Sequence, residues 1–279
     1  MNYELIALDV DGTLLDADGC IPPAVALALK KLERAGVRIC LATGRSYIET
    51  QPVWKQLSLA GPYQPMVLVG GALVSEPDTG RTLWQKTVAP EVLREYAADL
   101  QGRGFSVLAS VDPWRYGYDY HTAVGADYED VQTRWFGQMD VKIRTCQSFQ
   151  SLTELPAAIR LNSLVSDRQG RQLLEELQDH FGDRLNLHVI HAPNYGVTVL
   201  EAFSPGADKA AGLRYIAQGL SIPMGRIVAI GDDVNDLAMI RAAGLGVAMP
   251  NAKDFVKQAA DVVAEDGLAA FLEDLAASD

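Results

Sequence analysis

Cysteine is scarce in this sequence, with three residues (Cys20, Cys40 and Cys146) in 279. Their number is odd and no spacing among them suits a metal. They read as small residues in or near a core and point to a reducing compartment, the cytoplasm. Basic residues are also in deficit: 24 Lys and Arg face 36 Asp and Glu, a formal net charge of −12. That balance argues against a protein that coats nucleic acid, which needs clustered Lys and Arg, and against an anionic membrane surface as partner. Long apolar runs are missing too, since the longest, Met66 to Val74, falls far short of a membrane span. At the N-terminus no basic region leads into an apolar run, and Asp9 interrupts the one candidate, so no signal peptide is expected. Neither an internal repeat nor a low-complexity tract is present. What is there is ordinary globular material, 48% apolar and 22% charged, long enough for one large or two medium domains with a substantial core.

The first third alternates strand and helix signals. Leu5 to Leu8 reads as a buried strand, and Pro22-Pro23 opens a helical stretch from Ala24 to Ala35 that stops at Gly36. Val37 to Ala42 reads as a second strand, Ser46 to Leu59 as a helix, and Met66 to Val69 as a third strand ending at Gly70-Gly71. This alternation predicts a parallel sheet covered on both faces. The last third returns to the same style, with strands at Gly196 to Phe203, Ile227 to Ile230 and Gly246 to Met249 and a helix at Asp208 to Gly219. A further helix runs to Ala243, where Gly244 can end it.

Between them, helices at Glu91 to Gln101 and Arg168 to His180 mix with β-rich runs at Phe105 to Ser110, Trp114 to His121, Ile159 to Ser166 and Leu187 to His191. That mixture predicts helices on one face of a mostly antiparallel sheet. The expected fold is α/β: a doubly wound parallel core of residues 1–84 and 192–279, interrupted by an inserted α+β module at residues 85–191.

The polar residues that end the core strands carry the chemistry. The first strand runs into Asp9-Val10-Asp11-Gly12-Thr13, the second into Thr43-Gly44-Arg45, and Ile227 to Ile230 into Gly231-Asp232-Asp233-Val234-Asn235-Asp236. In an open parallel sheet ligands bind beyond the carboxyl ends of the strands, so these clusters are expected on one edge. Asp9, Asp11, Asp232, Asp233 and Asp236 would then crowd one crevice, and like charges at close range disfavour joint ionisation. A hard divalent cation resolves the conflict, and an all-oxygen set suits Mg²⁺ better than Zn²⁺. Thr43 and the N–H groups of a Gly-containing turn can cradle a phosphate, and Lys209, at the start of a core helix, can balance charge. Taken singly, each has an ordinary explanation: Asp-Gly-Thr as a turn, Asp232 as a helix cap, Lys209 as a solvated lysine, Arg45 as a surface ion-pair partner. Their joint order at strand ends is what sets those explanations aside.

That order resembles the four motifs of the haloacid dehalogenase superfamily of phosphotransferases: Asp9-x-Asp11-Gly12-Thr13, Thr43-Gly44-Arg45, Lys209, and Gly231-Asp232-x-x-Asn235-Asp236. The insertion between the second and third motifs resembles the cap of the Cof-type, subclass IIB, phosphatases. The likeness extends over nearly the whole chain, including Gly246 to Ala252 and Glu265-Asp266-Gly267-Leu268. It implies that Asp9 attacks phosphorus to form an aspartyl-phosphate, and that Asp11 protonates the leaving alcohol and then activates water. It implies that Thr43, Gly44, Arg45, Asn235 and the Val10 backbone bind phosphate or substrate, with Lys209 offsetting charge. Mg²⁺ would be held by the Asp9 and Asp232 carboxylates and the Asp11 carbonyl, with Asp236 in or next to that shell and Asp233 not required.

Two positions depart from the family pattern. Gly70 stands where relatives often have Asn, and Pro250 where they commonly have Gly. In the insert, Trp114, Tyr116, Tyr118 and Tyr120 are expected on one face of a strand, either packing the module's own sheet or facing a substrate. His188 and His191 flank the expected return to the core. The expected partner is a small phosphate ester, most of all a sugar phosphate, and the oligomeric state is not readable. A phosphomutase, a dedicated biosynthetic sugar-phosphate phosphatase, and a flavin or pyridoxal phosphate phosphatase remain alternatives. A signalling receiver would lack so large an insert, and a non-catalytic relative would have lost one of Asp9, Asp11, Lys209 and Asp232.

Overall fold

The computed structural model describes residues 2–60, 64–192 and 196–277. The chain divides into two compact units, Met1–Trp84 with Asp208–Asp279, and Gln85–Ala207. The first unit opens with β1 (Leu5–Leu8), whose residues are all buried, as a strand covered on both faces requires. Helix α1 (Pro23–Arg34) begins on a proline, which sacrifices no helical hydrogen bond there, and turns Val25, Ala28, Leu29 and Leu32 inward at helical spacing. After β2 (Arg38–Leu41), α2 (Tyr47–Leu57) starts from a capping box, Glu49 accepting from the Ser46 N–H at 3.0 Å and hydroxyl at 2.6 Å. Strands β3 (Met66–Leu68), β4 (Leu73–Ser75) and β5 (Thr82–Gln85) form a small sheet of their own. A parallel bridge from Ala42 to Val67 sets β3 beside the end of β2.

The second unit comprises α3 (Pro90–Gly102), β6 (Val107–Val111), α4 (Pro113–Tyr116), β7 (Tyr120–Ala123), α5 (Tyr128–Arg134), β8 (Ile143–Cys146), β9 (Ala158–Val165), α6 (Asp167–Phe181), β10 (Asn186–Ala192) and β11 (Val197–Phe203). Its six strands run in the order β10-β11-β9-β6-β7-β8, antiparallel except for the β7–β8 pair. Tyr96 and Leu100 of α3 and Leu177 and Phe181 of α6 share one core with Ala109, Leu161 and Leu200 of the sheet.

Two expectations are corrected here. The strand expected to end at Phe203 is β11, a central strand of this antiparallel sheet, not a strand of the parallel core. Residues 192–207 therefore belong with the insert, and the second crossing between units falls at Ala207 rather than at residue 191. The segment from Trp114 does not start as a strand. Asp112 accepts from the Trp114 N–H at 3.0 Å and Pro113 fixes φ, so a single helical turn forms and ends at Gly117 with φ +71°. Trp114 is consequently exposed, whereas Tyr118 and Tyr120 are buried.

The chain then completes the first unit with α7 (Lys209–Leu220), β12 (Ile227–Gly231), α8 (Leu237–Ala242), β13 (Leu245–Ala248), α9 (Asp254–Ala259), β14 (Val262–Val263) and α10 (Leu268–Ala277). The sheet order is β14-β13-β12-β1-β2, every pair parallel. Leu8 pairs with Ile230 on one side and Leu41 on the other, so the residues that follow each of these strands emerge at the same edge. The strand order reverses at β1, which makes this edge the switch point where α/β sheets bind ligands. Among the described residues, no helix is long and apolar enough to cross a membrane.

Candidate active site

Asp9 directly follows β1, its N–H held by the Ile230 carbonyl at 3.0 Å. Its Oδ1 lies 2.5 Å from Lys209 Nζ, which lies 2.6 Å from Asp236 Oδ1. Lys209 and Asp236 are wholly buried. Lys209 is the first residue of α7, a helix capped by Asp208, whose carboxylate accepts from the Ala211 N–H at 2.7 Å. Asp236 uses both of its oxygens, because Oδ2 accepts from the N–H groups of Asp232 (2.9 Å) and Asp233 (3.0 Å). It thereby holds the ammonium and shapes the turn after β12. Gly231 is required beside it, since a Cβ there would run into the Asp236 carboxylate.

Carboxylate oxygens of Asp9, Asp232 and Asp236 lie within 4.8 Å of one another. One ammonium cannot balance this much negative charge. Burial drives Lys209 toward the neutral form, but the carboxylates of Asp236 and Asp9 outweigh it and keep the ammonium charged. Asp9 is pushed above the usual carboxylate range by burial, with Lys209 opposing and Asp236 adding to the rise. Asp232 rises to about 6, first through burial and then through repulsion by Asp236. Uncompensated negative charge in an oxygen-only set is the environment that a hard divalent cation such as Mg²⁺ relieves, so these residues fit that ion.

The raised acids have a consequence for stability. A folded state whose Asp232 and Asp9 hold protons that the unfolded chain has released loses stability as pH rises. For Asp232 the window runs from about 4, the ordinary value, to about 6. Because Asp232 is half exposed, the full shift is discounted for solvent screening to about 1 kcal/mol, or about 2–4 °C in Tm. In EDTA, Asp232→Asn is therefore expected to gain on the parent by that amount between pH 4 and pH 7. Thermal melts across the range check it, and a constant difference would remove the charge argument.

The remaining clusters meet at the same edge. Thr43 is buried, donates its N–H to the Val67 carbonyl at 2.9 Å, and accepts from the Arg45 N–H on its hydroxyl at 3.1 Å. A Cβ on Gly44 would lie 3.9 Å from the Asn235 amide nitrogen, so those two motifs adjoin. Val69 backs this loop in a left-handed conformation, φ +50°, unusual for a β-branched residue. It is held there because its N–H reaches the Arg45 carbonyl at 2.9 Å and the Gly70 N–H reaches Thr43 O at 3.0 Å. Gly70 itself has φ +64°, a conformation that Asn and Gly adopt more readily than other residues, so Gly in place of the family's Asn keeps the backbone path. Nothing in the structure explains Pro250.

Gly71 has φ +101°, and a Cβ would overlap the Asp208 carbonyl just before Lys209. Gly71→Ala is expected to push the start of α7 away and cost about 2 kcal/mol or more. A Tm drop of at least about 4 °C, with a parallel fall in activity, checks this; an unchanged Tm would show that the contact relaxes freely.

A family model of haloacid dehalogenase-like hydrolases matches residues 6–272. The chain belongs to this family. The hydrolase is 30% identical to the 5-amino-6-(5-phospho-D-ribitylamino)uracil phosphatase YitU of Bacillus subtilis, over 97% of this chain and 96% of that one. It is also similar to the solved haloacid dehalogenase-like hydrolase from Bacteroides thetaiotaomicron, at 26% identity and TM-score 0.75, covering 98% and 99% of the two chains. It shares its fold, at 21% identity and TM-score 0.71 over 98% of both chains, with a structure described as the subclass IIB sugar phosphatase BT4131. This hydrolase is a phosphatase of small phosphorylated metabolites, a phosphoric monoester hydrolase.

Not every acid expected in the crevice of this phosphatase faces it in the same way. The Asp11 side chain turns from the carboxylate cluster and forms a two-pronged ion pair with Arg45, at 2.8 and 2.5 Å. Asp233 pairs with Lys253 at 2.5 Å; burial pushes its carboxyl up, but Lys253 and the Val234 N–H more than offset that and lower it. Two side chains that the sequence reading gave no role join the site. Thr13 donates to Asp232 Oδ1 at 3.3 Å, and Asn251 to Asp232 Oδ2 at 3.2 Å and to Gly12 O at 3.0 Å. Thr13 adjoins the first motif and Asn251 lies in the family-like stretch, but no local pattern shows that both converge on Asp232.

Proposed function

We propose that the protein is a Mg²⁺-dependent phosphatase that cleaves phosphate esters of sugars or related polyols through a phosphorylated Asp9. The observation that carries this reading is the Asp9–Lys209–Asp236 chain with Asp232 alongside, at the sheet's switch point. Asp9 would attack phosphorus, forming one P–O bond as the bond to the leaving alcohol breaks. Asp11 would give that alcohol a proton and then take one from the water that releases phosphate from Asp9. Its exposed carboxylate, 57% accessible, is placed to exchange protons once the Arg45 pair opens, and Arg45 then becomes available to substrate oxygens.

Lys209 would hold Asp9 and offset charge on the phosphoryl group, which Thr43 and the Gly44, Val10 and Asn235 groups would cradle. The Asp9 and Asp232 carboxylates and the Asp11 carbonyl would hold Mg²⁺, which supplies charge neutralisation when bound. With both oxygens of Asp236 engaged, we assign it a place next to that shell rather than in it.

Support for a polyol ester comes from the Bacillus subtilis relative, whose name places its phosphate on a D-ribityl chain. We assign the choice of leaving group to the inserted unit, and a cytoplasmic location fits three free cysteines. A phosphate-release screen with Mg²⁺ over sugar phosphates, ribityl phosphates, nucleotides, flavin mononucleotide and pyridoxal phosphate tests the reading. Preference for sugar or ribityl phosphates, flavin mononucleotide counted among the latter, supports it, and a dominant pyridoxal phosphate activity overturns it. Phosphoryl transfer that needs an added bisphosphate, with no phosphate released to water, would indicate a phosphomutase instead.

A further inference from the structure

The segment after β13 grips the turn after β12 at several points. The Met249 N–H donates to Gly231 O at 3.0 Å and the Lys253 N–H to Asp232 O at 3.3 Å, while Lys253 Nζ pairs with Asp233 at 2.5 Å. Asn251 does something different, because its one amide nitrogen reaches both the Asp232 carboxylate and the carbonyl of Gly12, three residues beyond Asp9. Both neighbours are oxygens that accept, so only the NH₂ end of the amide can face them. Thr13 donates to the other oxygen of the same carboxylate. Each Asp232 oxygen thus takes one hydrogen bond from an uncharged donor and keeps lone-pair capacity for a cation. Gly12 adds a steric wall, since its backbone lies so close that a Cβ would run into the Asp232 carboxylate.

We propose that Asn251 is a positioning residue for the metal, fixing the plane of the Asp232 carboxylate against the loop that follows the nucleophile. The proposal rests on the Mg²⁺ reading above. Asp232 is half-buried and faces Asp236, so repulsion favours turning its charge toward water. Asn251 and Thr13 oppose that turn, and the cation meets a ligand already oriented. Outer hydrogen-bond partners of metal-ligating carboxylates act in this way in general. Asn251 does not touch the reacting atoms, so its effect should appear in metal affinity rather than in the chemical step.

Isothermal titration of the substrate-free, metal-stripped protein with MgCl₂ tests the proposal. Asn251→Ala is expected to raise the Mg²⁺ Kd about 10- to 100-fold, while kcat at saturating Mg²⁺ stays within about threefold of the parent. Its Tm in EDTA should match the parent's, which separates lost orientation from lost folding. Lys253→Ala, on the same segment but paired with Asp233, should leave the Kd within about twofold. An Asn251→Ala Kd within about twofold of the parent's overturns the proposal. So does equal weakening by Lys253→Ala, which would assign the effect to the segment as a whole. If the parent protein binds no Mg²⁺, the metal reading falls as well; a parent that binds with an unaffected Asn251→Ala variant sinks the positioning role alone.

Discussion

Asparagine in place of Asp9 should abolish turnover and leave the fold standing. The amide is nearly isosteric but is no nucleophile toward phosphorus, so the expected loss is about 10⁴-fold or more. The stability outcome is less intuitive. Asp9 is a buried carboxylate whose pKa burial already pushes up, in a cluster with more negative charge than Lys209 can balance. Neutralising it leaves Lys209 paired with Asp236 at 2.6 Å and removes one repulsive term. In EDTA at pH 7 the variant's Tm should equal or exceed the parent's, while the gain in Tm on adding Mg²⁺ should shrink. Phosphate release and paired melts measure both. Hydrolysis at the parent rate would end the nucleophile assignment, and a large Tm loss would mean that the Asp9–Lys209 pair is needed for folding.

Lys209→Met should have the opposite signature, a collapse in stability along with activity. The ammonium is wholly buried between Asp9 and Asp236, and removing one partner of a buried ion pair typically costs about 3–5 kcal/mol. For a chain of this size that is a fall of about 6–20 °C in Tm. The loss should be partly recovered at lower pH. With the cation gone, Asp9 moves further above its ordinary value, so the folded state holds a proton that the unfolded chain gives up. Stability then declines as pH rises from about 4, the unfolded value, and is regained on acidification. Combining Lys209→Met with Asp9→Asn should restore part of the lost Tm, because the two side chains are in contact and their effects do not add. A double variant as unstable as the sum of the singles would deny that the pair is coupled.

The site was legible where chemistry follows directly on a strand. A run of buried aliphatics ending in Asp, Thr-Gly or Gly-Asp identifies both the strand and the edge it leaves. The structure places those ends side by side, with Leu8 in register with Leu41 and Ile230. The same signal misled at Val197–Phe203, which is buried throughout because it lies between two strands of the antiparallel sheet. Val197–Phe203 is mostly apolar despite Thr198 and Glu201, as a buried parallel strand would be, and such composition does not record a strand's direction. At Trp114 the alternating aromatics suggested a strand, but Asp112-Pro113 supplied a cap and a fixed φ, and local geometry prevailed. Asn251 was legible only as part of a stretch, since its hydrogen bond to Gly12 joins residues 239 apart in sequence. No short-range pattern encodes a contact of that span.

The long reach of these contacts bears on how the protein is made. Asp9 emerges from the ribosome well before its partners, since the ammonium that holds it comes 200 residues later and Asp236 later still. The strand that pairs with β1 on its other side, β12, is also supplied by that distal part of the chain. The second unit carries its own hydrophobic core in a continuous stretch of sequence, so nothing in its packing has to wait for residues beyond Ala207. During synthesis β1 can pair only with β2 until β12 is out, and Asp9 stays without its counter-charge until α7 begins. Chains truncated before α7 should therefore be inert and expose an unpaired edge of β1, a strand of four fully apolar residues that invites association with other chains. Pairing Asp9 with its ammonium and closing that edge both wait for the stretch of chain from α7 to β12.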